Sequence, residues 1–171
     1  FALIRGELRL PAAFPGDVEA EARAAAAAAP DPTGRTDLRD VPFVTIDPPG
    51  SRDLDQAVHI EADGDARVIR YAIADVAAFV PRGGPVDREA WNRGETIYRP
   101  DARTPLYPTV LSEGAASLLP GEDRPAVVFT IPVAADGELG EAGVTRALVR
   151  SRRRLAYAEA DDASVPLLRD T

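Results

Sequence analysis

The sequence has 171 residues, of which 45% are hydrophobic, so the chain is long enough for one domain with a buried core. Its formal net charge of −8 argues against a protein that binds nucleic acid mainly through a basic surface. The sequence has no cysteine and a single histidine, His59, which excludes a disulfide partner, a thiolate zinc site and a multi-histidine metal site.

The sequence contains no apolar run of about 18 residues, the length that crosses a membrane, and no signal-peptide pattern. We therefore expect a cytoplasmic protein without a membrane partner. All 20 basic residues are arginine, which together with the many alanines indicates a compositional bias of the genome. Arginine as such is therefore a weak indicator of phosphate binding.

The first 40 residues predict a helical lead-in followed by a linker. Gly16 or Asp17 is a candidate N-cap for an alanine-rich helix over residues 18–29, which the Pro-Asp-Pro sequence then ends. This helix has little apolar surface, which favours a surface helix or a spacer. Residues 31–40 are polar and rich in turn formers, which predicts a linker.

From residue 41 the sequence is typical of a sheet, and its first strand leads into an acidic stretch. The apolar residues 41–46 place Asp47 at the end of a β-strand, and a Pro-Pro-Gly turn returns Asp53 and Asp55 beside it. Three like charges held this close repel one another unless a cation neutralises them. Carboxylate oxygens on a short, stiff frame suit Mg²⁺.

Two other interpretations of the acidic stretch compete with a metal site. Asp beside Pro and Gly is common in turns, because its side chain bonds nearby backbone amides. A calcium loop of the EF-hand type is the second, but Asp47, Asp53 and Asp55 do not fall at the ligand positions of that loop.

The remaining strands are predicted from β-branched residues and from alternation of apolar and polar positions. We expect strands over residues 57–61, 67–74, 125–133 and 143–155. Residues 62–65 and 136–140 are the predicted hairpin connections. The predicted fold class is therefore α+β, a mixed or antiparallel sheet with flanking helices.

Helices are predicted over residues 86–97 and 111–120, and a further one begins at Tyr157. In the first of them Ala90, Trp91 and Ile97 form the expected apolar side. His59, within a predicted strand, is expected to be structural. Asp75, after the 67–74 strand, either holds local amides or approaches the acidic stretch.

Alternation along the last predicted strand places four arginines on one face, namely Arg146, Arg150, Arg152 and Arg154. Such a face either meets phosphates or is a solvated surface of the sheet.

Residues 45–57, TIDPPGSRDLDQA, resemble the signature of the RNB family, the catalytic domain of the ribonuclease II and ribonuclease R exoribonucleases. In that family four acidic residues bind the catalytic magnesium. Asp47, Asp53 and Asp55 match the first three of them in order and spacing, whereas Gln56 stands at the fourth and offers an oxygen without a charge. Weaker matches further along extend the resemblance over residues 41–162.

The resemblance implies a Mg²⁺-dependent hydrolytic 3′→5′ exoribonuclease that acts on single-stranded RNA and releases nucleoside 5′-monophosphates. It implies that Asp47, Asp53 and Asp55 hold one or two ions, with Gln56 as a weaker ligand and Mn²⁺ as a substitute for Mg²⁺. Asp53 and Asp55 are the implied catalytic residues.

The same resemblance implies RNA contacts and further domains. Tyr98 matches the region of an aromatic that stacks on nucleotides near the RNA 3′ end, and Tyr157 matches a tyrosine along the RNA path. Residues 41–171 correspond to the N-terminal portion of an RNB catalytic domain. We therefore expect the rest of that domain and flanking RNA-binding domains downstream, and Phe1, which is no natural start, indicates a processed or truncated piece.

Two rival functions belong to other classes. A non-catalytic RNA-binding module of the RNB type would keep the RNA contacts but have a degenerate metal site at Gln56. A structural domain would use the acidic turn only to bond its own backbone amides.

Overall fold

A seven-stranded mixed sheet, curled as a half-barrel, forms the centre of the structure. The computed structural model describes residues 6–8, 10–11, 13–28, 30–161 and 165. Within these residues the strands, in chain order, are β1 (Thr36–Leu38), β2 (Val44–Ile46), β3 (Gln56–Asp63), β4 (Ala66–Ala74), β5 (Ile97–Tyr98), β6 (Arg103–Thr104), β7 (Asp123–Val133), β8 (Gly143–Arg150) and β9 (Arg153–Leu155). β5 and β6 form a separate two-stranded sheet.

The large sheet has the strand order β1-β8-β7-β4-β3-β2-β9. Its two edge pairs, β1–β8 and β2–β9, are parallel, whereas the four inner pairs are antiparallel. A two-residue turn joins β3 to β4, and its Gly64 has a φ of 62°, which suits a tight hairpin. The predicted mixed sheet with flanking helices is confirmed.

Besides the helical residues 6 and 7, the described part of the chain has two α-helices and three short helical turns beside the sheet. The α-helices are α1 (Gly16–Ala27) and α2 (Pro85–Arg93). The turns are two 3₁₀ turns, Val76–Ala78 and Tyr157–Glu159, and one π-helical turn, Leu111–Ala115. In the part of the chain that the structure describes, no helix is long and apolar enough to cross a membrane.

Small side chains line the face of the sheet that carries the main core. Four buried alanines lie in register across neighbouring strands, as the pairs Ala57–Ala72 and Ala126–Ala147. The larger side chains of the same cluster are Phe43, Leu54, Leu118, Val128 and Val149. Because alanine takes little space, it leaves room for these larger side chains over the sheet.

The alanine-rich helix belongs to a second core and is not a spacer. Val18 and Ala22 of α1 are buried against Phe79, Val86 and Leu111. The helix lies at the surface, as predicted, with many of its residues exposed and one face packed on its neighbours, whereas the alternative prediction of a spacer was wrong. The helix also begins earlier than expected, after Pro15, and no side chain caps it.

The segment predicted as a linker contains β1. This strand pairs in parallel with β8, from Thr36 opposite Ala147 to Leu38 opposite Val149. Its three residues carry no alternation that a sequence pattern would reveal. β1 therefore depends on its partner strand, and residues 36–38 of the predicted linker belong to the sheet.

The strand predicted over residues 143–155 is two strands. Ser151 and Arg152 leave the sheet between β8 and β9: the Ser151 carbonyl accepts from the Gly121 N–H at 2.9 Å, and the Arg152 N–H donates to the Phe43 carbonyl at 2.7 Å. Alternation of apolar and polar residues stops here, because residues 150–154 are all polar, and such a run does not by itself locate the break.

Two predicted helices also differ from the structure. The helix over residues 86–97 ends at Arg93, because Gly94 takes a φ of 76° and stops it. Ile97 then belongs to β5, and Trp91 is 82% exposed, so the predicted apolar side is wrong. The helix over residues 111–120 is reduced to the π-helical turn.

The four arginines predicted to share one face bind protein groups instead. Their partners are the Asp75 carboxylate for Arg146, the Asp123 carboxylate for Arg150, the Arg39 carbonyl for Arg152 and the Ser51 carbonyl for Arg154. The common face does not form, because the break after β8 separates the first two from the others.

An ion triad centred on the buried carboxylate of Asp75 joins the N-terminal segment to β4 and β8. The Oδ2 atom of Asp75 accepts from Arg35 at 2.7 Å and from Arg146 at 2.9 Å. The side chains of Asp75 and Arg35 are only 6% and 5% exposed. Burial pushes the pKa of Asp75 upward, but the hydrogen bonds from the two arginines outweigh it and the pKa lies below its ordinary value. Asp75 therefore has a structural role.

We expect Asp75→Asn to lower the free energy of unfolding by about 3 kcal/mol, because it leaves the Arg35 charge buried without its partner. Urea unfolding at pH 7 measures this difference, with the exposed turn residue Asp65 changed to Asn as the control.

The difference is also expected to depend on pH. The stability from a depressed Asp pKa is present above the ordinary value near 4 and is lost as the pH falls through the lowered folded value. The two proteins should therefore converge in acid, and equal stability at pH 7 would contradict the role of the triad.

Candidate active site

The acidic stretch is a loop between β2 and β3 whose start is fixed by hydrogen bonds. Asp47 follows β2, and its backbone N–H donates to the Leu155 carbonyl of β9 at 2.9 Å. Gly50 has a φ of 89°, a conformation that favours glycine, and the Ser51 N–H donates to the Pro48 carbonyl at 3.1 Å. The chain therefore reverses directly after Asp47.

Leu54 orients the aspartates on either side of it. Its side chain is 1% exposed in the main core, its N–H donates to Ser117 Oγ at 3.0 Å, and its carbonyl accepts from the Leu118 N–H at 2.8 Å. In an extended segment the neighbours of an inward-facing residue face outward. Asp53 and Asp55 consequently project away from the core.

The three predicted aspartates, Asp47, Asp53 and Asp55, line one cleft of about 550 Å³. The other charged and aromatic side chains that line it are Arg52, Tyr98, Arg103 and Glu113. The structure thus brings together all three acidic residues and one of the two predicted RNA-binding tyrosines.

Negative charge accumulates in this cleft. Burial raises the pKa of Asp47, and the charges of Asp55 and Asp53 raise it further, against the opposing charge of Arg154. Burial also raises the pKa of Asp55, to which the charge of Asp53 adds. The carboxylates are close enough that the negative charge of each opposes the ionisation of the others. A bound cation would relieve this repulsion.

Arg103 and Glu113 are site residues that sequence reasoning missed. Arg103 Nη1 donates to Asp53 Oδ2 at 2.7 Å, and Arg103 Nη2 forms an ion pair with the Glu113 carboxylate. Arg103 lies on β6 and Glu113 on the π-helical turn, far along the chain from the acidic loop. No spacing links them, so only the tertiary fold reveals the cluster.

The carboxylate oxygens of the cleft fit a divalent cation, but one of them, on Asp53, is already bonded to an arginine. Asp47, Asp53 and Asp55 provide hard carboxylate oxygens of the kind that Mg²⁺ prefers. No group of three or more acidic, histidine or cysteine side chains in the described ranges is already arranged to hold a metal ion. At Asp53, the Arg103 guanidinium takes the place of a cation.

Gln56, predicted as a weaker metal ligand, is not brought together with the three aspartates. Alternation turns it to the opposite face of the sheet from Ala57, and its Oε1 accepts a hydrogen bond from the Tyr71 hydroxyl. It lines a different groove, which includes Tyr157. Adjacency in sequence to Asp55 therefore does not place Gln56 in the acidic cleft.

The two tyrosines occupy different surfaces. Tyr98 on β5 is 71% exposed and lines both the acidic cleft and an adjoining pocket of about 170 Å³. Tyr157 is 69% exposed at the groove that contains Gln56. His59 lines neither surface, and its ring packs edge-on against Phe43 at 6.5 Å, so its placement is structural.

The curled sheet with its flanking helices is a fold shared with solved structures of RNase R. The structure of Mycoplasma genitalium RNase R in complex with ribose methylated single-stranded RNA matches with a TM-score of 0.78 and 30% identity, over 88% of this chain and 24% of that one. The chain is also similar to Ribonuclease R of Escherichia coli (strain K12), at 42% identity over 127 residues, or 74% of this chain and 16% of that protein.

Exoribonuclease 2 of Psychromonas ingrahamii is 38% identical over 126 residues, which cover 73% of this chain and 19% of that protein. The family model of the RNB domain matches residues 35–166. The chain therefore belongs to the RNB domain family, which confirms the resemblance carried by the acidic motif. It spans less than a quarter of the length of each of these three relatives.

Neutralising Asp55 should stabilise the metal-free protein. A carboxyl whose pKa is raised by folding has an ionised form that is less favourable in the folded state than in the unfolded chain. Since Asp55 is partly exposed, we expect Asp55→Asn to raise the melting temperature at pH 7 and low salt by about 1–3 °C.

The gain should disappear as the pH falls below about 4, where both states bind the proton. Thermal denaturation in the presence of a chelator measures it, with Asp65→Asn as the control for loss of an exposed charge. A lower melting temperature for Asp55→Asn would contradict the repulsion in the cleft.

Proposed function

We propose that the intact protein is a Mg²⁺-dependent 3′→5′ exoribonuclease that hydrolyses single-stranded RNA to nucleoside 5′-monophosphates in the cytoplasm. The observation that carries this proposal is the cleft in which Asp47, Asp53 and Asp55 lie together with the exposed ring of Tyr98. The names of the relatives, Ribonuclease R and Exoribonuclease 2, support the same reaction.

The acidic residues have the role of holding the ion. Asp47, Asp53 and Asp55 are the proposed ligands of one or two Mg²⁺ ions, for which Mn²⁺ can substitute. When bound, a divalent cation activates water and neutralises charge on the phosphate during phosphodiester hydrolysis. The raised pKa values of Asp47 and Asp55 stay compatible with this role, because a nearby cation favours the ionised carboxylate.

Tyr98 has the role of binding the RNA end. An aromatic ring stacks on any base, so it suits an enzyme that degrades RNA without regard to sequence, and each stacked base contributes about 1–3 kcal/mol. Tyr98 offers its ring at the mouth of the acidic cleft. Tyr157 is a second proposed RNA contact, because its ring is similarly exposed at the groove that contains Gln56.

We expect Asp55→Asn to lower the rate of hydrolysis roughly 100-fold while RNA affinity changes less than about threefold, as for a group that acts mainly in the transition state. The measurement is release of mononucleotides from a labelled single strand with and without Mg²⁺, beside an RNA binding isotherm. Asp65→Asn is the control variant, and a DNA strand of the same sequence is the control substrate.

A variant that keeps a tenth or more of the rate would sink the assignment of Asp55. RNA binding without any Mg²⁺-dependent hydrolysis by the unaltered protein would instead favour the non-catalytic RNA-binding module.

Gln56→Asp tests whether the residue at the fourth acidic position acts on the ion. Because Gln56 is bonded to Tyr71 and lines a groove other than the acidic cleft, we expect the Mg²⁺ concentration for half-maximal activity to change less than about twofold at 0.15 M ionic strength, where exposed charges are screened. A midpoint lowered severalfold would show that a ligand was missing from the cleft.

A further inference from the structure

One arginine stands between the acidic loop and the turn opposite it. Arg103 reaches Asp53 with Nη1 and Glu113 with Nη2, and its side chain is 34% exposed. Three separate elements meet in this contact, namely the β2–β3 loop, β6 and the π-helical turn. The planar guanidinium suits such a contact because its donors form a fixed fork.

We propose that Arg103 is a resident counter-cation of the acidic cleft, which competes with the divalent ion for Asp53 and so sets the ion concentration at which the site fills. The inference rests on the proposed function, because it takes Asp53 as a ligand of that ion. It adds a residue that neither the acidic motif nor the spacing of the sequence indicates.

The short distance between Arg103 and Asp53 is the basis for competition between the arginine and the ion. Asp53 Oδ2 accepts a charge-assisted hydrogen bond from Arg103 at 2.7 Å, so that oxygen has its negative charge already matched. An ion that binds Asp53 has to offset the loss of this bond. Asp53 and Arg103 are both about one-third exposed, so the bond is weak enough for a divalent ion to displace.

Glu113 allows Arg103 to release Asp53 without being left unpaired. When Asp53 turns to the ion, Arg103 keeps its ion pair with Glu113 and is not left without a partner. One carboxylate therefore changes partner while the other retains the guanidinium at the rim of the cleft.

Arg52 provides a matched comparison inside the same cleft. It also lines the cleft, but no carboxylate among the described residues forms an ion pair with it at the distances seen for Arg103. Removal of Arg52 deletes the same charge without deleting a competitor for Asp53.

The test measures the dissociation constant of Mg²⁺ for the intact protein by titration calorimetry without RNA, in the unaltered protein and in Arg103→Gln, Arg103→Lys and Arg52→Gln. We expect Arg103→Gln to bind Mg²⁺ about fivefold more tightly. The Mg²⁺ affinity of Arg103→Lys should lie between those of the unaltered protein and Arg103→Gln, because an ammonium keeps the charge but cannot fork across two carboxylates. Arg52→Gln should change the constant less than about twofold.

Three results would overturn the proposal, and they separate it from the proposed function. Equal Mg²⁺ affinity of the unaltered protein and both Arg103 variants would refute competition while leaving the metal site intact. An equal gain for Arg52→Gln would reduce the effect to the overall charge of the cleft. Absence of Mg²⁺ binding in every protein would refute both proposals. Arg103→Lys retains the charge and keeps the comparison informative if Arg103→Gln does not fold.

Discussion

Two residues, Ser151 and Arg152, join strands that are second and seventh in the order of the sheet. In a flat sheet those strands would lie about 24 Å apart, whereas so short a link spans at most about 11 Å. The sheet therefore has to curl. The curl puts β9 beside β2, where the Leu155 carbonyl accepts from Asp47, so the base of the acidic loop depends on the same constraint.

Aspartates in two parts of the structure show opposite responses to burial. At Asp75 two arginines outweigh the cost of burial, and the carboxylate joins segments that are distant in the chain. At Asp47 and Asp55 burial and neighbouring negative charge act in the same direction. The charge of Asp75 is thus neutralised by arginines of the fold itself, whereas the charges of Asp47 and Asp55 are left for a bound partner to neutralise. Such local instability is common where a site has to bind an ion.

Local features of the sequence predicted the acidic loop correctly, because Asp47, Asp53 and Asp55 lie within one strand end and one turn. Alternation was sufficient for the β3–β4 hairpin as well. Within β3 alternation also explains why Gln56 faces away from its buried neighbour Ala57. The role of Arg103 and the break between β8 and β9 could not be predicted from local features. Both depend on contacts with residues far along the chain, which no window of the sequence contains.

The parallel edge pairs have a consequence for the order in which the protein folds. β1 and β2 pair with β8 and β9, from opposite ends of the described chain, while β3, β4, β7 and β8 form antiparallel neighbours. Contacts of long sequence separation pay the largest loop-closure entropy and form late. The central strands can therefore assemble while the edges are still open. The acidic loop gains its fixed base only when the last strand arrives, so the cleft is among the final parts of the molecule to take shape.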